Sequence, residues 1–282
     1  MSVSGTNLPP LRTLKGIDGL LEGMVGIVTG ASHGIGEAAA TAMAEAGAKV
    51  VLAARNEAAL EGVAERINDQ VGDRRASVVV TDVTDPSSVR RLVEHAVASH
   101  GRLDLAFNNA GDGHRPAPLA ELELEDFERA MRASARGVFL CMKHEIPAML
   151  SSGGGSIVNM SSTAGLEGVS GIAGYVAGKH AVIGLTKAAA LDYAGNGIRI
   201  NAVAPGPILS ERIAADEVRR QVASSVPIGR VGEREEVAAT VIWLFSDLSS
   251  FVTGSVLAVD GGRMAGFVVP RPAATRGAAR GA

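Results

Sequence analysis

From residue 25 onward the chain alternates short β-branched runs with longer segments of helical period, and this alternation restricts its fold more than any other feature. The runs fall at residues 25–28, 49–52, 77–80, 103–107, 156–159, 198–203 and 255–259. Between them lie helical stretches at 36–46, 56–71, 86–100, 125–150, 174–194 and 233–245. Strands apolar on both faces, joined by crossovers long enough to hold helices, predict a parallel sheet covered on both sides. The expected fold is thus a doubly wound α/β domain with a seven-stranded parallel sheet and helices on both faces. No Pro/Ser linker interrupts the alternation, so a single domain is expected over residues 21–267. An N-terminal arm (1–20) precedes it and a C-terminal tail (268–282) follows it; both are expected to be flexible. For the arm, the alternative is that Leu8, Leu11 and Leu14 pack on a neighbouring subunit.

Composition excludes several function classes. The 27 basic and 30 acidic side chains leave a net charge of −3, which carries no nucleic-acid footprint. No apolar run approaches the ~18 residues that would span a bilayer. Pro9, Pro10 and Asp18 interrupt the N-terminus where a signal peptide needs an unbroken apolar core. A single cysteine, Cys141, cannot form an intramolecular disulfide and is expected to be a packed thiol, and the six histidines show no zinc-ligand spacing. These features predict a cytoplasmic protein with no metal, no nucleic-acid partner and no membrane partner.

Directly after the first run comes Thr29-Gly30-Ala31-Ser32-His33-Gly34-Ile35-Gly36, opening a helix. Glycines in such a turn let the backbone approach a pyrophosphate, and the free N–H groups at the helix start supply positive potential. Its place after the first strand points to a dinucleotide site. Further along, Tyr175 and Lys179 stand four apart in a helical segment, on one face. With two tyrosines in the chain and five lysines, a chance Tyr-x-x-x-Lys has odds of only about 4%. A cation ~4 Å from the phenol, at an effective dielectric of ~20, lowers the tyrosine pKa by up to nearly three units from ~10, which suits proton exchange near neutral pH. Tyr193 has Gly197 four residues on and is expected only to pack.

These motifs, with Asn108-Asn109-Ala110-Gly111, Pro205-Gly206, Val252-Thr253-Gly254 and Val259-Asp260-Gly261-Gly262 in the same order, resemble the short-chain dehydrogenases/reductases over residues 21–262. The resemblance implies a Rossmann fold and an NAD(P)-dependent oxidoreductase acting on CH–OH or C=O groups. It implies that Gly30, Ser32, His33, Gly34, Ile35 and Gly36 cradle the cofactor phosphates, that Asp82 and Val83 meet the adenine, and that Asn109, Ala110 and Gly111 line the cofactor site. It further implies that Pro205, Gly206, Ile208 and Ser210 border the nicotinamide, and that Tyr175 and Lys179 serve both the cofactor and catalysis. Asn108 and Asn109 have the alternative of only satisfying loop backbone groups.

Where NAD-using relatives carry an acid at the end of the second strand, this chain has Ala54, followed by Arg55. A guanidinium can hold a 2′-phosphate through two parallel hydrogen bonds, which favours NADP(H) over NAD(H). The alternative is a solvated arginine at a helix start. Family spacing selects Ser162 as the second donor to the substrate oxygen, with Ser161 facing elsewhere; the alternative for Ser162 is a loop serine capping backbone N–H groups. Ser134 stands where relatives carry an asparagine whose main-chain carbonyl holds a relay water, and relay through the backbone is expected to persist.

Pocket walls are expected at 113–116, 164–171 and 209–226. Leu166, Val169, Ile208 and Ile213 supply apolar surface, and His114, Arg115 and Glu167 either meet polar groups or solvate loop tips. The substrate expected is a small or medium, largely apolar carbonyl compound or secondary alcohol, reduction being the expected direction. Phe139, Cys141, Met142, Val182, Ile183 and Leu185 put apolar surface on more than one face of their helices, which suggests a homotetramer or homodimer. Two other functions use the same fold: a non-catalytic dinucleotide-binding regulator, which the intact Ser162, Tyr175 and Lys179 argue against, and a dehydratase or isomerase.

Overall fold

The computed structural model describes residues 14–210 and 213–266. Leu8, Leu11 and the C-terminal tail lie outside the described residues. The seven expected runs all form strands: β1 (Val25–Thr29), β2 (Lys49–Ala54), β3 (Ala76–Val80), β4 (Leu105–Asn108), β5 (Gly155–Met160), β6 (Ile198–Pro205) and β7 (Val256–Val259). They make one sheet in the order β3-β2-β1-β4-β5-β6-β7, every pair parallel. Strand order reverses between β1 and β4, so the crevice that such a reversal opens lies at the carboxyl ends of these two strands.

Eight α-helices occur among the described residues: α1 (Gly34–Glu45), α2 (Glu57–Val71), α3 (Pro86–His100), α4 (Leu124–Met131), α5 (Gly137–Ser152), α6 (Ala173–Tyr193), α7 (Asp216–Ala223) and α8 (Arg234–Phe245). Local chemistry fixes several ends. Asn56 Oδ1 accepts the Ala59 N–H to start α2, and Asp85 Oδ1 accepts the Ser87 N–H ahead of Pro86 to start α3. Two apolar layers sandwich the sheet. Met43, Leu60, Ile67, Val241 and Ile242 belong to one; Leu92, Met142, Ile146, Met149 and Val182 belong to the other. Leu14, Ile17 and Leu20 pack against the first layer. For Leu14 this is its own chain's core rather than a neighbour.

Two parts of the architecture differ from expectation. The helix expected over 125–150 is divided by one π-helical turn, Arg132–Arg136, in which the Gly137 N–H donates to the Arg132 carbonyl five residues back. One extra residue per turn rotates Ser134 into the interior, where it is fully buried. A 3.6-residue periodicity barely changes over so short an insertion. Most of the apolar surplus assigned to a subunit contact is absorbed internally: Cys141, Met142, Val182 and Ile183 are buried, whereas Phe139 remains exposed. Tyr193 packs against the core, as expected.

A polar chain runs through the second layer beneath the site. Asn108 Nδ2 donates to Glu145 Oε2 at 2.9 Å and to Asn159 Oδ1 at 3.0 Å, and Asn159 Nδ2 donates to Thr186 Oγ1 at 3.0 Å. Asn108 therefore ties β4 to α5 and β5 rather than satisfying a loop. Burial pushes the Glu145 carboxyl up from 4.5 to about 7, against the lowering effect of the Asn108 hydrogen bond. The folded protein then holds a proton that the unfolded chain releases from pH 4.5 upward, so stability falls as pH rises to about 7 and levels off above it. Glu145→Gln removes this titration. Its stability advantage over the parent is expected to grow from near zero at pH 4.5 to at most about 3 kcal/mol at pH 8, as measured by urea denaturation; an advantage that did not change with pH would contradict the assignment.

Candidate active site

The glycine turn leaves β1 at Gly30, whose φ of 66° is a left-handed value that favours glycine. At Gly36, in the first turn of α1, a Cβ would overlap the Gly30 carbonyl and Asn109 Nδ2, so only glycine lets the helix start this close to the loop. Asn109 staples the turn from the far strand: its Nδ2 donates to the Thr29 carbonyl at 3.0 Å and the Gly30 carbonyl at 3.1 Å. Thr29 Oγ1 accepts the backbone N–H groups of Asn109 and Ala110. The alternative for Asn109, satisfying loop backbone, is what its amide does; the same amide also borders the site.

Two cavities meet at Gly111 and Asp112 along this edge of the sheet. The first, about 460 Å³, is bordered by Gly30, Ser32 and His33 from the glycine turn, Arg55 after β2, Asp82 and Val83 after β3, and Ala110. His33 begins α1 without a side-chain cap, so the helix keeps N–H groups for a ligand. Three arginines line this cavity. Arg129 pairs with Asp126 at 2.8 Å, and Arg132 pairs with Glu128 at 3.0 Å and Glu125 at 2.5 Å. Arg55 makes no ion pair among the described residues.

The second cavity, about 430 Å³, gathers Ile35, Asn109, Ser162, Tyr175, Lys179, Pro205, Gly206 and Ile208, brought from β1 through β6. Lys179 is buried, and its Nζ donates to the Met160 carbonyl at 2.8 Å. The same ammonium lies 5.6 Å from the centre of the Tyr175 ring. Burial lowers the Lys179 pKa from 10.5 to about 8, which still leaves a cation at pH 7. Ser161 Oγ donates to the Lys179 carbonyl at 3.0 Å and so turns toward α6, although Ser161 also borders this cavity and does not leave the site as expected. Ser162 Oγ accepts the Ala164 N–H at 3.2 Å and also borders the cavity. Its capping and site roles coexist, because a hydroxyl that accepts this bond keeps its own proton to donate.

Other expected residues stand outside both cavities. Gly34 and Gly36 shape the turn from behind, and Ser210 is exposed on the loop after β6. Ser134 lies behind Lys179: a Cβ placed on Gly111 would be 3.3 Å from Lys179 Nζ and 3.8 Å from Ser134 Oγ. Ser134 Oγ is buried and has no hydrogen-bond partner among the described residues. The glycine backbone at Gly36, where a methyl group would collide with the turn, and an arginine with no ion pair among the described residues fit a dinucleotide.

The expected apolar wall is kept at Ile208 and otherwise replaced. Among the described residues, Ile35, Met160, Ile172 and Ile208 face the second cavity, whereas Leu166 is exposed and neither Val169 nor Ile213 lines it. Glu167 pairs with Arg263 at 3.4 Å. Sequence reasoning missed Met160, whose carbonyl contribution no side-chain pattern reveals, and Arg129 and Arg132, which read as solvated helix charges. It also missed α7, a single short amphipathic stretch.

The family profile described as enoyl-(acyl carrier protein) reductase matches residues 30–263. The chain is 45% identical to a cyclohexanol dehydrogenase from Acinetobacter sp. (strain SE19), an alignment covering 84% of this chain and 93% of that protein. It is 44% identical to a cis-4-hydroxycyclohexanecarboxylate dehydrogenase from Sinomonas cyclohexanicum, over 84% of this chain and 95% of the relative. The crystal structure of levodione reductase superposes with a TM-score of 0.83 at 33% identity, covering 88% of this chain and all of the other.

The chain belongs to the short-chain dehydrogenase/reductase family. The family is one of oxidoreductases using a nicotinamide dinucleotide, and its seven-stranded Rossmann-like sheet is the one found here. Gly36→Ala is expected to abolish dinucleotide binding in a fluorescence titration, because the Cβ can be accommodated only if the Gly30 turn moves; unchanged affinity would show that the turn is not a phosphate cradle.

Proposed function

We propose that this short-chain dehydrogenase/reductase transfers hydride between NADP(H) and an alicyclic secondary alcohol or ketone, working in the cytoplasm as a homo-oligomer. The observation that carries the proposal is the buried Lys179 ammonium, held by the Met160 carbonyl and lying over the Tyr175 ring in a cavity bordered by Ser162. Bound dinucleotide supplies or accepts the hydride. In the reducing direction, the substrate oxygen gathers negative charge, and the hydroxyls of Ser162 and Tyr175 both donate to it. Tyr175 gives up its proton to form the alcohol, and the Lys179 cation stabilises the phenolate left behind. The unpartnered Ser134 Oγ and the π-turn backbone continue the polar path behind Lys179, by which the proton is restored from solvent.

Arg55 supports NADP(H): it borders the first cavity at the end of β2, where no acid stands, and it is free to take a phosphate. Ile35, Met160, Ile172 and Ile208 support an apolar substrate, and the names of the relatives acting on cyclohexanol and on a hydroxycyclohexane carboxylate support a six-membered ring. The exposed Phe139 supports self-association through α5.

Tyr175→Phe is expected to lower turnover of cyclohexanone-type substrates by about 10²–10⁴ while leaving dinucleotide affinity intact. A Phe variant of full activity would overturn the proton-transfer assignment. Arg55→Ala should reduce kcat/KM with NADPH at least tenfold and change it less than twofold with NADH; a parent enzyme that prefers NADH would overturn the cofactor assignment. Enoyl thioesters in the same substrate panel separate carbonyl chemistry from the C=C reduction named in the family profile's description.

A further inference from the structure

The helix that carries Tyr175 and Lys179 begins without a cap of its own. Ile172 stands at the N-cap position of α6 and offers no side-chain hydrogen bond. Ser, Thr, Asp or Asn there would accept the N–H of the second or third helical residue. That N–H, on Gly174, instead donates 3.2 Å to Nε2 of His114, sixty positions earlier in the loop after β4. On the other side of the ring, Nδ1 lies 2.8 Å from the Arg115 carbonyl. A carbonyl only accepts, so Nδ1 carries the proton and Nε2 presents its lone pair to the helix. The imidazole is thus neutral and held as one tautomer.

The surroundings are shaped to this contact. A Cβ on Gly174 would lie 3.2 Å from Cδ2 and Nε2 of His114 and 3.2 Å from Phe127 Cα, so the bare backbone of glycine lets the ring reach the N–H. A second bond, from the Ala117 N–H to the Gly171 carbonyl at 2.9 Å, joins the same two segments. From α4, Arg129 Nη2 reaches the Gly113 carbonyl at 3.5 Å. The loop is therefore fastened to both helices, with His114 bordering the cavity that contains Tyr175.

We propose that His114 is a positioning residue: its neutral imidazole caps α6 from another part of the chain, and so fixes both the rim of the substrate cavity and the start of the helix that presents Tyr175. The proposal rests on the oxidoreductase reading above for its kinetic consequence but not for its structural one. Substrate feels the loss of His114 more than dinucleotide does, because the glycine turn, Arg55 and Asp82 border the other cavity and lie on other elements than α6.

The test compares the parent with His114→Ala and His114→Gln. A glutamine Oε1 can stand near the position of Nε2 and accept the same N–H, whereas alanine cannot. In His114→Ala, KM for a cyclohexanone-type ketone is expected to rise at least tenfold, with NADPH affinity unchanged within twofold. Amide hydrogen exchange at residues 173–176 should quicken at least tenfold in the same variant. His114→Gln should restore both values to within threefold of the parent. Parent-like KM and exchange in His114→Ala would overturn the proposal, as would faster exchange with unaltered kinetics or a glutamine variant no better than alanine. A parent that turns over no carbonyl or alcohol with either dinucleotide would count against the oxidoreductase reading instead; the exchange comparison then decides by itself whether His114 caps α6.

Discussion

The pairing of β1 with β4 is the constraint on which the site depends. It aligns Gly26, Ile27 and Val28 with Leu105, Ala106 and Phe107, and it is where strand order reverses. Asp104 Oδ2 accepts the Val25 N–H at one end of this pair, and Asn109 grips the Thr29 and Gly30 carbonyls at the other. Parallel strands must all send their chains off at the same edge, so the glycine turn, the Asn109 segment, Ser162 and Pro205 emerge side by side although almost 180 residues separate the first from the last. If β4 slipped by one residue, the Asn109 side chain would move to the other face and the turn would lose its staple.

Polar groups beneath that edge make the interior less stable than an apolar one would be. Lys179 is a buried cation that donates to the Met160 carbonyl, and Glu145 is a buried carboxyl that accepts from the Asn108 amide. Desolvation opposes the charge on each, lowering the lysine's pKa and raising the carboxyl's. In the proposed reaction this cost has a use, because a desolvated ammonium near the Tyr175 ring exerts more field on it than a solvated one could. Glu145 sits one step further back, holding Asn108, whose neighbour Asn109 holds the turn. Rigid placement of groups at the surface of the cleft is thus underwritten by ionisable groups below it.

Legibility in the sequence followed the range of the interaction involved. The strands and most helices were readable because burial on two faces or one leaves a periodicity within a few residues. The glycine turn at Gly30 and Gly36 and the placing of Tyr175 and Lys179 on one helix beside one cavity were readable because each is a fixed spacing on one element. The π turn was not, since an insertion of one residue hardly disturbs an apolar pattern. The true apolar wall was also hidden: Ile172 and Met160 look like ordinary neighbours of a helix and a strand, whereas Leu166 looks like a wall and faces solvent. Arg129 and Arg132 have acidic partners three and four residues before them, Asp126 and Glu128, a helical spacing that the sequence itself displays, whereas Arg55 has no ion pair among the described residues.

By itself, the sequence determined the doubly wound sheet, the order of its motifs, and the residue types able to cradle phosphates and move a proton, because each depends on local spacing or on burial that repeats along the chain. Tertiary structure decided which hydroxyl is left without a partner at Ser134, which carbonyl receives Lys179 and which distant imidazole closes the open end of α6. These outcomes depend on distances between segments far apart in the chain, and such distances exist only once the sheet has set its strands side by side.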